Sequence, residues 1–537
     1  MQQVIEAIER IYQRAHDNVK ATVTEGERIS AKKLNQNQLA AHAVAYLATE
    51  LEACRQMADW AERVGGEYEA KVARAYVGEV ARSVVGGIDL GPCESISLAD
   101  LGITEGDLRE TVLMPAVTAF SAEHANGRVY LEIAAHARDH GMPNRGFDDE
   151  MLDEIRSQFS KFVDVEVIPQ AQDIHRNDVL IPMNIVDQMS ELGVFGLTIP
   201  EEYGGLGMSK VAMCVVTEEL SRGYIGVGSL GTRSEIAAEL IMGGGTEEQK
   251  KRWLPAIAAG EVLSTAVFTE PNTGSDLAHL GTRAVKKDDG GYVINGQKTW
   301  ITHAVRADLM TVLARTDVNE PGYRGLSMFL AEKTRRTGDG GEQEFVDEGL
   351  TGTEIKVLGY RGMKEYELSF EDFEVPAEAL LGGEEGAGFK QLMRTFESAR
   401  IQTAARGVGV AQAALEDAIL YATEREQFGG PIFQFPRVAR KIGRMVCRIE
   451  AGRQLTYFSA REKDLEKRCD LEAGMAKLLA TRSAWESADA NVQIHGGNGY
   501  AEEYTASRLL VDARVLSIFE GANEIQAHVV ARRLLES

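Results

Sequence analysis

The sequence predicts a mainly α-helical protein with a central β domain, because the spacing of its apolar residues changes twice along the chain. Up to about residue 260, apolar residues recur every three or four positions, which is the period of an amphipathic helix. From about residue 263 to 376 short runs typical of strands dominate, and the helical period returns from about residue 386. The predicted divisions are a helical N-terminal extension, a second helical domain, a β domain and a C-terminal helical domain, at residues 1–147, 148–262, 263–383 and 384–537.

Composition and charge place the chain among soluble globular proteins. Hydrophobic residues make up 44% of its 537 positions and charged residues 26%, so intrinsic disorder is excluded as its main character. The formal net charge of −24 argues against a nucleic-acid or anionic-membrane partner, although a local basic pocket remains compatible with it.

The cysteines and the apolar stretches predict a cytoplasmic location. The five cysteines are scattered and contain no C-x-x-C pair, which is typical of reduced thiols. The first twenty residues mix acidic and basic side chains, unlike a signal peptide, and no apolar stretch approaches the ~20 residues of a membrane span.

The helical segments are justified by their boundary signals. Gly141, Pro143 and Gly146 lie close together and predict a linker after the first helical block. Thr246, followed three residues later by Gln249, has the capping-box pattern of a helix start.

A glycine motif within the second helical domain is a false signal for dinucleotide binding. The segment 226–231 matches G-x-G-x-x-G, but the residues before it have a helical period and no strand–helix alternation surrounds it. The ten histidines form no cluster with metal-ligand spacing, so no metal site is predicted. His136 and His140, four residues apart, are interpreted as surface helix positions.

The β domain is predicted from five runs: YVINGQKTWIT, LMTVLART, GLSMFLAEK, EIKVLG and ELSFEDFEV. Asn295-Gly296 is the strongest hairpin signal in the chain, because both residues tolerate the positive φ angles of a tight turn.

Three sets of segments are unlike ordinary scaffold. In TEPNTGSD (269–276), small polar residues can offer N–H and O–H donors to phosphate or ring atoms, and Trp300 can stack on a flat ring. Taken alone, a polar loop and a core tryptophan would explain them equally well. The segment 425–431 (REQFGGP) can likewise be a helix C-cap.

The third set lies near the C-terminus. QIHGGNGY (493–500) carries glycines that let a backbone approach a ligand closely. Glu520, in IFEGANEI (518–525), follows an apolar run and precedes a helix, so desolvation there would favour a role as a base. A glutamate favoured by a helix N-terminus is the alternative interpretation.

Together, TEPNTGSD, NGQKTWIT, REQFGGPI, QIHGGNGY and IFEGANEI resemble the acyl-CoA dehydrogenase family, over roughly residues 150–537. The resemblance implies the acyl-CoA dehydrogenase fold, in which an α-helical domain, a β-barrel and a four-helix bundle hold FAD between them; here an N-terminal helical extension is added. It also implies a homodimer or homotetramer with FAD sites shared between subunits. An electron-transfer flavoprotein is the implied electron acceptor.

The resemblance assigns site residues by position. Those implied to contact FAD in one subunit are Phe268, Thr269, Gly274, Ser275, Trp300 and Thr302. Those implied to contact the FAD of a neighbouring subunit are Arg425, Phe428, Gln493, Gly496 and Gly497, with Glu524 a further cofactor contact. Those implied to bind the acyl-CoA are Ser275, Arg400 and Gly521.

Glu520 matches the family's catalytic base. Some members carry the base at the position of Ala399, which cannot abstract a proton. The implied reaction is α,β-dehydrogenation: Glu520 takes the α-proton of the thioester and a β-hydride passes to FAD. Two departures put individual FAD contacts in doubt: Ala522 where the family usually has Thr, and Pro436 where it often has Gln.

The extension resembles that of family members acting on short branched dicarboxylyl-CoA esters in the ethylmalonyl-CoA pathway. The expected substrate is (2S)-methylsuccinyl-CoA and the product mesaconyl-CoA. Arg233 is our candidate partner for the distal carboxylate, against a salt bridge with Glu235 and Glu239 as the alternative. Another short-chain ester (glutaryl-, isobutyryl- or butyryl-CoA), an oxidase activity or a non-catalytic flavoprotein scaffold remain alternatives. The role of the extension stays open.

Overall fold

The computed structural model describes residues 1–92, 94–147, 149–320, 322–338 and 343–536. Cys93 and the predicted boundary at Asp148 lie outside the described residues. The chain divides into two compact units: unit 1 combines Met1–Glu154 with Thr403–Ser537, and unit 2 is Ile155–Gln402. The four domain ranges expected from the sequence stay predictions.

The N-terminal part of unit 1 is helical, as predicted, but it also contains two short hairpins that the helical period did not reveal. Their strands are only two to four residues long, too short to carry an alternating pattern. In chain order the elements are α1 (Gln2–Val23), β1 (Thr24–Glu25), β2 (Arg28–Ile29), α2 (Ala31–Gln36), α3 (Gln38–Val64), α4 (Glu67–Val84), β3 (Ile88–Gly91), β4 (Glu94–Ile96), α5 (Glu105–Arg109), α6 (Pro115–His124) and α7 (Gly127–His140).

The linker predicted after this block packs onto α3. Trp60 Nε1 donates to the carbonyl of Asn144 at 2.9 Å, and Arg63 Nε donates to that of Gly146 at 3.1 Å. Gly146 has a φ of 71°, and a Cβ there would lie 2.8 Å from the Trp60 ring, so the close approach requires glycine.

Unit 2 begins with helices whose boundaries follow the sequence signals. Thr246 and Gln249 form the predicted capping box, which confirms the helix start. The glycines at 226–231 lie inside a helix that directly follows another helix, so the rejection of a dinucleotide loop is confirmed. The helices are α8 (Glu150–Phe162), α9 (Ile168–Asn177), α10 (Met183–Glu191), α11 (Lys210–Gly223), α12 (Ile225–Gly244) and α13 (Glu247–Ala258), with a π-helical turn at Val163–Val167.

The β domain of unit 2 is a curled sheet in the order β10-β11-β7-β6-β8-β5, with β9 paired to β8. Most pairings are antiparallel, but β5 and β6 both run parallel to β8. The inward-facing residues, including Ile294, Val312 and Tyr366, are almost completely buried. The strands are β5 (Ser264–Val267), β6 (Arg283–Lys286), β7 (Tyr292–Thr302), β8 (Leu309–Arg315), β9 (Leu326–Glu332), β10 (Leu350–Ile355) and β11 (Glu365–Val375).

The hairpin predicted at Asn295-Gly296 is wrong: both residues lie inside β7. Gly296 has a φ of 152°, and a Cβ there would lie 2.5 Å from Thr282 Oγ1. The glycine is therefore explained by the close approach of neighbouring backbone. The run EIKVLG was also misplaced, because β10 ends at Ile355.

The C-terminal part of the chain is helical apart from one hairpin. Pro436 occupies the first turn of its helix, where the missing N–H has no intrahelical partner to lose. The elements are α14 (Gly388–Glu424), β12 (Glu426–Gln427), β13 (Gly430–Pro431), α15 (Pro436–Asp464), α16 (Asp470–His495), α17 (Thr505–Leu516) and α18 (Asn523–Glu536).

Within unit 1 the extension packs directly onto the C-terminal helices. Gly443 of α15 meets α7 so closely that a Cβ would lie 2.0 Å from the carbonyl oxygen of Tyr130. Arg448 Nη1 donates to Glu50 at 2.9 Å, and Arg444 Nε donates to Glu79 at 2.7 Å. Part-buried ion pairs thus join α15 to α3 and α4.

Cys54, Cys214, Cys447 and Cys469 are buried free thiols. In the described part of the chain, no helix is both long and apolar enough to cross a membrane.

Candidate active site

Glu520 lies in the turn between α17 and α18 of unit 1, with an unusual backbone conformation. Glu520 and Gly521 both have positive φ, of 51° and 91°. The side chain of Glu520 is half-buried. Because left-handed backbone is costly for a non-glycine residue, the turn must be held in place by its surroundings.

Two buried cations of unit 1 hold this turn. Lys477 of α16 is completely buried, and its ammonium donates to the carbonyl oxygen of Gly521 at 2.5 Å. Arg406 of α14, also completely buried, lies 4.8 Å above the ring of Phe519. The residues on both sides of Glu520 are therefore fixed to helices of the same unit.

Gly521 has a φ of 91°, which L side chains rarely adopt, and a Cβ there would lie 2.1 Å from Gln526 Nε2, so the amide of Gln526 would have to move. Ala522 precedes α18, and its carbonyl oxygen accepts from the N–H of Gln526 at 2.9 Å. Ala522 is thus the N-terminal cap of the helix but has no side-chain oxygen for that role. Glu524 is exposed in the first turn of the helix.

In unit 2, Trp300 lies in a β-bulge of β7. Lys298 pairs with Leu368 and Ile301 pairs with Tyr366, so two residues of β7 oppose one residue of β11. Trp300 has a φ of 59°, and 56% of it is exposed. Bulges redirect side chains near functional sites, and this one presents a large aromatic ring to the surface of the unit.

Thr302, two residues further, is buried instead. Its hydroxyl donates to Glu365 Oε2 at 3.0 Å, and its carbonyl oxygen accepts from Thr265 Oγ1 at 2.6 Å. The hydroxyl proton is therefore engaged by a carboxylate within the protein.

The loop after β5 is anchored by a buried lysine that sequence reasoning missed. Lys298 Nζ donates to the carbonyl oxygens of Phe268 and Leu313, at 3.0 and 2.8 Å, and to Glu270 Oε1 at 2.9 Å. Burial lowers the pKa of Lys298 to about 8, although Glu270 acts in the opposite direction. The sequence feature that could have identified Lys298 is its place in NGQKTWIT, one of the segments that carry the family resemblance.

Of the cofactor contacts predicted in this loop, two are exposed, one is half-buried, and Phe268 is buried. Thr269 is half-buried and accepts through its carbonyl oxygen from the N–H of Thr299 at 2.9 Å. Gly274 and Ser275 are exposed, and a Cβ at Gly274 would meet no atom within 4 Å. The backbone there is open to a ligand.

Arg233 of α12 is buried, with 7% of it exposed. Glu235 and Glu239, the acids weighed as its partners, both accept from Lys210, and Glu239 also accepts from Ser398 at 2.5 Å. These two carboxylates raise the pKa of Lys210 despite its burial, which opposes them.

The other two positions considered from the sequence lie on α14. Arg400 is half-buried, with its guanidinium 5.9 Å from the ring of Phe396. Ala399 is buried.

In unit 1, the segment interpreted alternatively as a helix C-cap forms the hairpin β12–β13. Phe428 and Gly429 are its two turn residues, with φ of 56° and 87°. Phe428 is 94% exposed, and Arg425 beside it is also exposed. A bulky aromatic residue in this conformation is costly, and its ring contact in the described part of the unit is edge-on to Phe435, with centroids 6.0 Å apart.

The glycine-rich turn after α16 is likewise exposed. Gln493, Gly496 and Gly497 are all exposed, and a Cβ on either glycine would meet nothing within 4 Å. His495 behind them stacks on Tyr421, with ring centroids 3.9 Å apart.

Among the described residues, no group of histidine, cysteine, aspartate and glutamate side chains could hold a metal ion.

Three family models match the chain in order. The acyl-CoA dehydrogenase N-terminal, middle and C-terminal domains match residues 149–261, 265–373 and 386–535. The chain is 55% identical over 536 residues to (2S)-methylsuccinyl-CoA dehydrogenase of Cereibacter sphaeroides, covering 98% of this chain and 96% of that relative. This alignment includes the extension.

Two solved structures match about three quarters of the chain. Butyryl-CoA dehydrogenase from Megasphaera elsdenii is 34% identical with a TM-score of 0.67, covering 72% of this chain and 98% of that one. A chain from the structure of the electron transferring flavoprotein of Acidaminococcus fermentans is 35% identical with a TM-score of 0.68, covering 72% and 99%.

Proposed function

Because this chain belongs to the acyl-CoA dehydrogenase family of oxidoreductases, we propose that it oxidises (2S)-methylsuccinyl-CoA to mesaconyl-CoA, with Glu520 as the catalytic base. One observation carries the choice of substrate: the 55% identity to a methylsuccinyl-CoA dehydrogenase extends over 98% of the chain and so includes the extension.

The proposed role of Glu520 follows from the chemistry of a thioester. The α-proton is weakly acidic, and its removal leaves negative charge on the thioester oxygen, which hydrogen-bond donors must stabilise. The Glu520 carboxylate takes the proton, and the backbone N–H of Glu520 is a proposed donor to that oxygen. The half-buried, fixed turn supports this role, because a base held in one geometry loses little entropy on reaction.

The exposed residues of unit 2 fit a flavin. Trp300 presents an aromatic face for stacking, and the open backbone at Gly274 and Ser275 offers donors to phosphate oxygens. The chemistry that bound FAD supplies is that of a hydride acceptor for the substrate β-carbon. We propose that Gly274, Ser275 and Trp300 hold it in this way, and that the half-buried Thr269 and the buried Phe268 and Thr302 are further contacts.

A second exposed set in unit 1 is proposed to reach the FAD of a neighbouring subunit. Phe428 supports this, because its 94% exposure leaves an apolar ring to be covered by another molecule. The set comprises Arg425, Phe428, Gln493, Gly496 and Gly497, with Glu524 a further cofactor contact. The chain would then act as a dimer or tetramer, passing electrons to an electron-transfer flavoprotein.

Arg233 is the proposed partner of the distal substrate carboxylate. A buried guanidinium can bind a carboxylate with two parallel hydrogen bonds. Glu235 and Glu239, the alternative partners considered for Arg233, both accept from Lys210. Arg400, Ser275 and Gly521 are the other proposed substrate contacts.

The substrate assignment is tested by anaerobic addition of acyl-CoA esters to the purified holoenzyme. Prompt bleaching of the flavin absorbance is expected with (2S)-methylsuccinyl-CoA and slow or no bleaching with butyryl-, isobutyryl- and glutaryl-CoA. Faster bleaching with any of these three would overturn the assignment.

The role of Arg233 is tested separately by Arg233→Met. We expect KM for methylsuccinyl-CoA to rise at least about tenfold, the effect of losing a charged hydrogen bond, while butyryl-CoA turnover is spared. Arg252→Met, at an exposed arginine of the same unit, is the matched control. Equal effects on both substrates would contradict the role.

A further inference from the structure

Unit 1 contains a cavity of about 310 Å³ between the extension and the C-terminal helices. Its walls come from α3, α4, β3, α15 and α16, so none of the residues proposed for the active site lines it. The charged lining residues are five arginines, Arg82, Arg440, Arg444, Arg448 and Arg482, and three carboxylates, Glu50, Glu79 and Asp89.

Three of the arginines are matched by the three carboxylates. Arg448 pairs with Glu50 at 2.9 Å, Arg444 with Glu79 at 2.7 Å, and Arg482 with Asp89 at 3.2 Å. Arg448 and Arg444 lower the pKa of Glu79 to about 2, against the effect of its burial. Glu79 is therefore ionised, and each of the three carboxylates is engaged by an arginine.

The other two arginines have no carboxylate partner among the residues that the structure describes. Arg82 Nη1 donates to the carbonyl oxygen of Ala125 at 2.7 Å, and the guanidinium of Arg440 lies 5.7 Å from the ring of Tyr130. Both arginines are exposed. Outside the lining, Glu486 accepts from Arg482 at 3.0 Å, so the group of arginines still exceeds its carboxylates by one.

The spacing of the arginines on α15 makes this excess of positive charge unfavourable when no anion is bound. Arg440, Arg444 and Arg448 lie four residues apart and therefore on one face of the helix, where like charges repel. Glu79 and Glu50 relieve the repulsion at Arg444 and Arg448, but no carboxylate does so at Arg440.

We propose that the cavity binds a small molecule carrying phosphate groups, held by Arg82 and Arg440. Planar guanidinium groups on two different elements can each donate two hydrogen bonds to a tetrahedral phosphate. The volume is at the lower end of that of ligand sites, which suits a diphosphate or a nucleotide. In a chain with a net charge of −24, such a local positive excess favours an anion over the rest of the surface.

The test is calorimetric titration of sodium pyrophosphate, and separately of ADP, into the FAD-loaded enzyme at constant ionic strength set with chloride. The double variant Arg82→Met/Arg440→Met removes both proposed contacts. Arg437→Met, at an exposed arginine of the same helix outside the lining, is the matched control for charge. The single variant Arg440→Met serves if the double variant unfolds.

Saturable pyrophosphate binding that weakens at least about tenfold in the double variant, or measurably in Arg440→Met, and is unchanged in Arg437→Met supports the site. Tighter, equally arginine-dependent binding of ADP would identify an organic phosphate as the ligand, and equal affinities would identify the phosphate groups alone. Failure of the wild-type enzyme to bind pyrophosphate, or equal binding by all variants, would overturn the proposal.

Discussion

The ammonium of Lys477 donates to the carbonyl oxygen of Gly521 at 2.5 Å, so a completely buried cation on α16 fixes the residue directly after Glu520. Arg406 lies over Phe519 on the other side. The residues before and after Glu520 are thereby each held by a cationic side chain of the same unit. This explains how Glu520 keeps its left-handed backbone conformation.

Lys477 is therefore expected to position the base. Lys477→Met should lower kcat by about 10- to 100-fold with little change in KM, because small misplacements of a catalytic group cost this much. Steady-state kinetics of the folded variant would measure kcat and KM. Lys467→Met, at an exposed lysine before α16, should leave kcat unchanged. A normal kcat in Lys477→Met would show that the turn keeps its geometry without this bond.

Phe428 should matter for cofactor retention and not for folding. Phe428→Asn creates Asn-Gly at a two-residue turn with positive φ at both positions, so the hairpin should be as stable or slightly more stable. Under the proposed sharing of FAD between subunits, the variant should lose FAD on gel filtration while its melting temperature without FAD is maintained. Full retention of FAD would argue against a role at the shared site.

The buried Lys298 predicts a pH dependence of stability. Its pKa falls from 10.5 to about 8 in the folded protein. Between these values the unfolded chain binds more protons, so this group favours folding increasingly as pH rises. Its contribution is fully present above about pH 10.5 and declines as pH falls to about 8.

The measurement is guanidinium unfolding of the wild type and Lys298→Met across this window. From pH 8 to 10.5, the free energy of unfolding of the wild type should rise relative to that of Lys298→Met by up to about 3 kcal/mol. A difference that does not change with pH would contradict the assignment.

Gly296→Ala should destabilise unit 2 by about 1–3 kcal/mol, since its Cβ would lie 2.5 Å from Thr282 and its φ is 152°. Gly274→Ala is the matched control, because its Cβ would meet nothing within 4 Å. Thermal unfolding of the two FAD-free variants measures this. Equal melting temperatures would mean that the sheet adjusts without cost.

The sequence predicted an element correctly where a local pattern of residues determines the local structure. The strand-type run YVINGQKTWIT coincides with β7 (Tyr292–Thr302), although no turn interrupts it, and Thr246 with Gln249 predicted the start of α13. Gly296 was misread because a glycine needed for a close approach to Thr282 looks the same in sequence as one needed for a turn.

Other features depend on distant parts of the chain. The burial of Lys298 and Lys477 arises from acceptors on other elements, which no local pattern reports. Motifs located Glu520, but its positive φ and its anchors are visible only in three dimensions.

The most direct test of the central claim compares flavin reduction in the wild type and Glu520→Gln after anaerobic addition of (2S)-methylsuccinyl-CoA. Glutamine keeps the size and polarity of the side chain but cannot accept the α-proton. If Glu520 is the base, the wild type bleaches promptly, while the variant binds FAD and substrate but bleaches at least about 100-fold more slowly, in line with the loss of a general base. Bleaching of the variant at the wild-type rate would contradict the assignment of the base.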